Sequence, residues 1–182
     1  MIKIVGGQYR SRIILTPNEG TVPTKSMVRE AVFSALSDLL PEAAVLDLFA
    51  GSGALGIEAL SRGARSAAFV DISEEAYIVI GKNLQALKET KGVVLKADYQ
   101  NALLSLSGQK KVFDVVFLDP PYAMKESYQD AVSFLLKKGM LRPQGAVVLE
   151  YEGSISFDES PFAFSRHYNY GRTNVLIVRR AK

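Results

Sequence analysis

Apolar residues along the chain alternate between short continuous runs and helical spacings. Ala43–Leu48, Ser66–Val70, Val93–Lys96, Val112–Leu118 and Ala146–Tyr151 are apolar runs of strand length. Between them, Ala54–Arg62, a stretch from Ser73 to about Lys88, Tyr99–Leu106 and Lys125–Lys137 read as helices. Ser73 suits the N-cap of the second, with Glu74 and Glu75 favouring the positive end of its dipole. Strands alternating with helices predict right-handed crossovers and a mostly parallel sheet, covered on both faces because the runs are apolar throughout. Phe162–Tyr168 and Val175–Arg179 have no helix between them and predict an antiparallel hairpin at one edge, with Asn169–Gly171 turn-like. Before this core, Lys3–Val5 and Arg12–Leu15 predict a small hairpin around Gly6 and Gly7, and Pro17–Pro23 a loop. A helix follows from Ser26, with Val28, Val32, Ala35 and Leu39 on one face, Thr24 or Ser26 as its cap and Pro41 closing it off. One domain is expected over 1–182, with 1–40 an extension and 41–182 the core.

Composition narrows the chemistry. The 182 residues contain no cysteine and one histidine, so disulfides and thiolate metal sites are excluded and no metal site is expected. The absence of an apolar run of membrane length or a leader-like N-terminus gives the expectation of a cytoplasmic protein without membrane contact. The net charge of +3 is unevenly spread. Residues 1–30 carry five basic and two acidic side chains, and residues 165–182 five basic and none acidic, while the stretch between is net acidic. The two basic ends either meet as a phosphate-binding patch or are two solvated termini.

Ligands in such sheets bind beyond the carboxyl ends of the strands. Three groups fall there. Asp47-Leu48-Phe49-Ala50-Gly51-Ser52-Gly53 follows the first core strand, and Gly51, Gly53 and Gly56 fit G-x-G-x-x-G with Asp71 about 20 residues on. That pattern alone suggests a dinucleotide. An acid at Asp47 would repel a pyrophosphate and suits a cationic ligand such as S-adenosylmethionine, with Asp71 accepting from ribose hydroxyls in either case. Asp98, after the third strand, is either an acceptor for an adenine amino group or the cap of the following helix. Asp119-Pro120-Pro121-Tyr122 is the most specific signal. Two prolines after a buried strand fix a rigid loop. Asp119 and the Pro120 carbonyl offer acceptors for the two N–H groups of an exocyclic base amine, and Tyr122 offers a stacking face.

The run Asp47 to Ala64, joined to Asp119-Pro120-Pro121-Tyr122, resembles the RsmD-type 16S rRNA guanine-N2 methyltransferases. Gly6-Gly7-Gln8-Tyr9-Arg10-Ser11-Arg12, Pro23-Thr24 with Val28-Arg29-Glu30, Lys82-Asn83-Leu84 and Tyr170-Gly171-Arg172-Thr173 extend the resemblance to nearly the whole chain. It implies a Rossmann-like class I methyltransferase fold with a seven-stranded, mostly parallel sheet. It implies S-adenosylmethionine held by Asp47, Gly51, Gly53, Asp71 and Asp98, with Phe49, Ala50, Ser52, Ile72, Tyr99 and Asp119 completing the site. It implies amine recognition by Asp119, Pro120, Pro121 and Tyr122. The partner implied is 16S rRNA or an assembling small subunit, and the protein is expected to be a monomer. Arg10, Arg12, Lys25, Arg29 and Arg172 are the expected RNA contacts, although Arg29-Glu30 is equally readable as an internal ion pair. Two positions depart from the family's usual pattern: Val22, where arginine is usual before Pro-Thr, and Ser11, where the hairpin often reads Arg-Gly-Arg. Competing readings are an adenine-N6 methyltransferase on DNA or RNA, a NAD-dependent oxidoreductase, and an RNA-binding module without catalysis. His167 is expected to be a structural or surface residue rather than a catalytic base.

Overall fold

A computed structural model describes residues 1–17 and 26–182. The expectations for Val22, Pro23, Thr24 and Lys25 fall outside that range.

A two-stranded antiparallel hairpin, β1 (Ile2–Lys3) and β2 (Ile13–Ile14), precedes helix α1 (Ser26–Ala35). The core runs β3 (Ala44–Asp47), α2 (Ala54–Ser61), β4 (Ser66–Asp71), α3 (Glu74–Leu87), β5 (Gly92–Lys96), α4 (Tyr99–Gly108), β6 (Phe113–Leu118), α5 (Ser127–Lys137), β7 (Leu141–Glu152), β8 (Phe164–Tyr170) and β9 (Thr173–Arg179). The seven core strands form one sheet in the order β5-β4-β3-β6-β7-β9-β8. The first five are mutually parallel, and β9 is antiparallel to both β7 and β8. The expected C-terminal hairpin is present, with the last strand inserted inside the sheet and β8 at its edge.

The apolar runs bury both faces of the sheet. Val45, Val115, Phe117, Ala146, Val148 and Ile177 face α1, α2, α3 and the N-terminal hairpin. Leu46, Val116, Leu118, Val147, Leu149 and Leu176 face α4 and α5. The chain direction reverses between β3, from which connections run outward through β4 to β5, and β6 on its other side. Loops after β3 and β6 therefore diverge at this point and leave a crevice. β7 begins five residues before the expected Ala146. Its register against β6 shifts between Phe113 and Val115, and Pro143 lies in the irregular stretch, where its missing N–H costs no regular ladder bond.

The hairpin is docked by polar groups of the core. Buried Glu58 accepts from the amides of Val5 (3.0 Å) and Gly6 (2.7 Å) and from Arg62 Nε (3.0 Å). Buried Asn83 accepts from Leu15 N (2.8 Å) and donates to the carbonyls of Leu15 and Ser52 (both 3.0 Å), tying β2 to α3 and the glycine loop. Gly7 has φ of 75°, and a Cβ there would lie 1.9 Å from the Ser61 carbonyl, so only glycine fits this approach. Ser11 adopts φ of 71°, the left-handed region that a glycine in an Arg-Gly-Arg hairpin would occupy without strain.

Arg29 corrects an expectation. It is 2% exposed and donates to the Lys3 carbonyl at 2.6 Å. It ties the hairpin to α1 and cannot reach a phosphate in solvent. Nor does it pair with Glu30, which binds Arg62 at 3.1 Å. The reason lies in helical geometry: Val28 and Arg29 share the inward side of α1 with Val32 and Phe33, while Glu30 points outward. The Arg29 guanidinium is depressed from its usual pKa first by burial, which the nearby Glu58 and Glu150 carboxylates oppose.

Candidate active site

The crevice at the carboxyl ends of β3, β4, β5 and β6 has a volume of about 300 Å³, at the lower end of ligand pockets. It brings together Asp47, Phe49, Ala50, Gly51 and Ser52 from the first loop, Asp71 and Ile72 from the second, Asp98 and Tyr99 from the third, and Asp119, Pro120 and Pro121 from the fourth. Two expected residues stand off it. Gly53 lies behind the wall, at φ of 79°, packed against Phe69, Ile80 and Ile57. Tyr122 is 72% exposed at the rim, with Lys125 Nζ 4.5 Å from its ring centre. Ile2, Leu55 and Met124 also line the crevice. Sequence reading missed Ile2 because only the docking of the hairpin brings it there.

Among the described residues, four carboxylates and no basic side chain line the crevice. The glycine amides needed to cradle phosphates are already used. Gly51 N donates to Asp71 Oδ2 at 2.8 Å, Gly53 N to the Ala50 carbonyl at 2.7 Å, and Gly56 N to Asp47 Oδ2 at 3.0 Å. A pyrophosphate would meet negative charge and occupied donors, so the G-x-G-x-x-G match does not build a dinucleotide site. A cation bearing ammonium, sulfonium and ribose hydroxyl groups fits this lining.

The acids differ in state. Asp47 is 2% exposed, and its pKa is raised to about 7, first by burial, partly offset by the Gly56 amide, with Asp71 adding a further rise. Asp119 is raised well above the usual carboxylate range, first by burial and then by the negative charges of Glu150, Asp47 and Glu152. Its carboxylate accepts no hydrogen bond from the described residues. Glu150 went unnoticed in the sequence, although it ends the apolar run of β7 one position beyond Leu149, the register partner of Leu118. Asp98 caps α4, accepting from Asn101 N at 2.9 Å and Asn101 Nδ2 at 2.5 Å, which holds its pKa low, and it also lines the crevice. The capping reading of that residue holds. Tyr99 stands 5.5 Å from Phe49, ring centre to ring centre, and its hydroxyl donates to Asp130 at 3.3 Å.

After Asp119 the chain turns sharply. Pro120 is buried and Pro121 exposed. The Pro121 carbonyl accepts from Met124 N at 2.8 Å within the short 3-10 turn Tyr122–Met124. The Pro120 carbonyl takes no donor from the described residues, which leaves it and Asp119 as acceptors on one wall.

Over residues 2–179 the chain matches the family described as Conserved hypothetical protein 95. It is 34% identical to ribosomal RNA small subunit methyltransferase D of Escherichia coli, across 91% of this chain and 82% of that protein. The chain belongs to this RsmD/YlbH-type rRNA methyltransferase family. YlbH of Bacillus subtilis is 33% identical across 98% of this chain and 99% of its own length. The solved structure of yhhF from E. coli superposes with a TM-score of 0.86 at 30% identity, covering 99% and 98% of the two chains. The Thermus thermophilus 16S rRNA N2 G1207 methyltransferase RsmC, solved with AdoMet and guanosine, shares the fold at a TM-score of 0.70 and 24% identity, over 91% of this chain and 45% of that one. The fold is that of class I methyltransferases, and this RsmD-family member is an S-adenosylmethionine-dependent methyltransferase.

Proposed function

We propose that the protein transfers a methyl group from S-adenosylmethionine to the exocyclic N2 amine of a guanine in 16S rRNA. The observation that carries this reading is the single crevice in which Asp47, Asp71 and Asp98 face Asp119 and the Pro120 carbonyl. The first three would hold the donor: Asp47 by its charge, Asp71 toward the ribose hydroxyls, and Asp98 toward the adenine amino group, with Phe49, Ile72 and Tyr99 along its apolar parts. Bound there, S-adenosylmethionine supplies a methyl already activated on a sulfonium.

The rest falls to the protein. An exocyclic amine is a poor nucleophile, because its lone pair is delocalised into the ring. Asp119 and the Pro120 carbonyl would accept its two N–H groups, bias the nitrogen toward a pyramidal geometry, and aim the lone pair at the methyl. Holding the reactants in line can supply roughly 7–11 kcal/mol of the barrier. As the new N–C bond forms, the nitrogen gains positive charge, which the Asp119 carboxylate stabilises. The raised pKa of that carboxylate suits it to take up the departing proton. Tyr122 and Pro121, exposed at the rim, would stack on the base.

Acceptors of this kind also suit an adenine N6 amine. The choice of small-subunit rRNA rests on kinship with the E. coli small subunit enzyme, and the choice of guanine on the resemblance of Asp47–Ala64 and Asp119–Tyr122 to the guanine-N2 enzymes. Offering radiolabelled S-adenosylmethionine with a 16S rRNA transcript, assembled small subunits and duplex DNA tests it. Label is expected in guanine of the RNA substrates. Transfer only to adenine in DNA would overturn the reading.

A further inference from the structure

The edge strand β8 carries a feature that methyl transfer does not use. Its even-numbered side chains Phe164, Arg166, Tyr168 and Tyr170 share one face of the sheet. The Tyr168 and Tyr170 rings are nearly parallel, 9° apart, with centres 6.3 Å from one another. The Arg166 guanidinium carbon stands 5.1 Å from the centre of the Tyr168 ring. Phe164 is 47% exposed and lines a shallow groove with Arg166, Tyr168 and Ala35 of α1.

Among the described residues, the two cations on and beside this face lack carboxylate partners. Arg62, Arg142 and Arg179 are each engaged by a carboxylate, whereas Arg166 and, in the turn beyond Tyr170, Arg172 form no ion pair among the described residues. No acidic residue occurs between 165 and 182. An arginine lying over a ring keeps its N–H edge for a phosphate while its plane continues the stack.

Register then fixes where the row lies. Leu118 pairs with Leu149, so Asp119 and Glu150 stand side by side at the strand ends; Glu150 pairs with Val175, and Val175 with Tyr168. Tyr168 is therefore level with Asp119, three strand spacings away, or about 14 Å.

We infer that the Phe164–Arg166–Tyr168–Tyr170 face of β8, continued by Arg172, is a docking track for single-stranded RNA flanking the nucleotide held at Asp119. This rests on the RNA-substrate reading above. Flat rings accept any unpaired base, and the unpaired arginines take the backbone. A protein partner is disfavoured, because the face offers two uncompensated cations and few fully exposed apolar groups.

The test uses the full chain with Arg166→Ala, Phe164→Ala and the double variant Arg166→Ala/Tyr168→Leu, in which leucine keeps the packing of residue 168. Affinity is measured for a single-stranded RNA oligonucleotide, for the same sequence as a duplex, and for S-adenosylmethionine. The double variant is expected to bind the single strand at least tenfold more weakly. Arg166→Ala alone should reduce the salt slope by about 0.7, the value for one phosphate contact on a single strand. Duplex binding should change far less, and S-adenosylmethionine affinity not at all. Wild-type binding to single-stranded RNA with no loss in the double variant would overturn the track and leave the RNA reading standing. A wild-type protein that binds S-adenosylmethionine but neither RNA would overturn both. Equal losses on single strand and duplex would overturn the stacking role.

Discussion

The amide of Gly56 donates to Oδ2 of Asp47 at 3.0 Å, pinning a buried carboxylate against the start of α2. A Cβ on Gly56 would meet the Phe69 ring at 2.3 Å, so the approach depends on glycine. That one bond does not offset burial, which leaves Asp47 near pH 7. A carboxyl whose folded pKa lies above its unfolded value binds a proton in the folded state that the unfolded chain has lost. Stability is therefore given up as pH rises from about 4 through about 7. Asp47→Asn is expected to raise the melting temperature of the ligand-free protein by several degrees at pH 8, the gap closing as pH falls toward 4. The same variant should bind S-adenosylmethionine at least tenfold more weakly at pH 8. Scanning calorimetry and titration calorimetry read the two effects, and equal melting temperatures with equal affinities would count against the charge role of Asp47.

Asp119 separates chemistry from donor binding. Asp119→Ala removes the acceptor and is expected to abolish transfer while changing S-adenosylmethionine affinity only a few-fold. Asp119→Asn keeps a carbonyl acceptor and should retain partial activity. Because burial, Glu150, Asp47 and Glu152 raise this carboxyl, wild-type activity should fall with decreasing pH through a limb above the usual carboxylate range. Glu150→Gln removes one negative neighbour and should move that limb to lower pH. Full activity in Asp119→Ala would remove this residue from the mechanism.

Much of this arrangement was legible in the chain. The apolar runs located every core strand, and the rule that ligands sit beyond strand ends pointed to Asp47, Asp71, Asp98 and Asp119, all now in one crevice. What was not legible depends on contacts distant in sequence. Local pattern gives Phe162–Tyr168 and Val175–Arg179 as strands, but only pairing with β7 decides which of them lies inside. Arg29 reads as a surface cation until β1 packs on α1 and places the Lys3 carbonyl beside its guanidinium. Ile2 reaches the crevice because Glu58 and Asn83, both buried on core helices, fasten the hairpin.

The arginines expected to contact RNA should divide by burial. Arg29→Met removes a buried guanidinium held by the Lys3 carbonyl, and a loss of about 3 kcal/mol is expected. That is a fall of roughly 6–12 °C for a chain of this size. Arg10→Ala and Arg172→Ala, at exposed positions, should leave the melting temperature within about a degree and weaken RNA binding two- to tenfold. Thermal unfolding and filter binding on the same preparations distinguish the groups. Unchanged stability in Arg29→Met would restore it as a surface contact.

Ser11 holds a left-handed conformation with an L side chain. Its amide donates to the Ile4 carbonyl at 2.9 Å, so the turn cannot relax without loosening the hairpin. Ser11→Gly should relieve about 1 kcal/mol of strain, less the entropy that glycine adds to the unfolded chain. The expected outcome is a melting temperature raised by one to three degrees, with S-adenosylmethionine affinity unchanged. A lowered melting temperature would show that the serine side chain contributes more than the backbone strain costs.

The proposed mechanism has the Asp119 wall present a guanine amine of 16S rRNA to the methyl donor. Its most direct test is mass-spectrometric mapping of 16S rRNA from cells lacking the gene, beside cells carrying it and cells carrying the Asp119→Ala variant. One N2-methylguanosine is expected to disappear on deletion, return with the wild-type gene, and stay absent with the variant. An unaltered guanine methylation pattern in the deletion strain would contradict it.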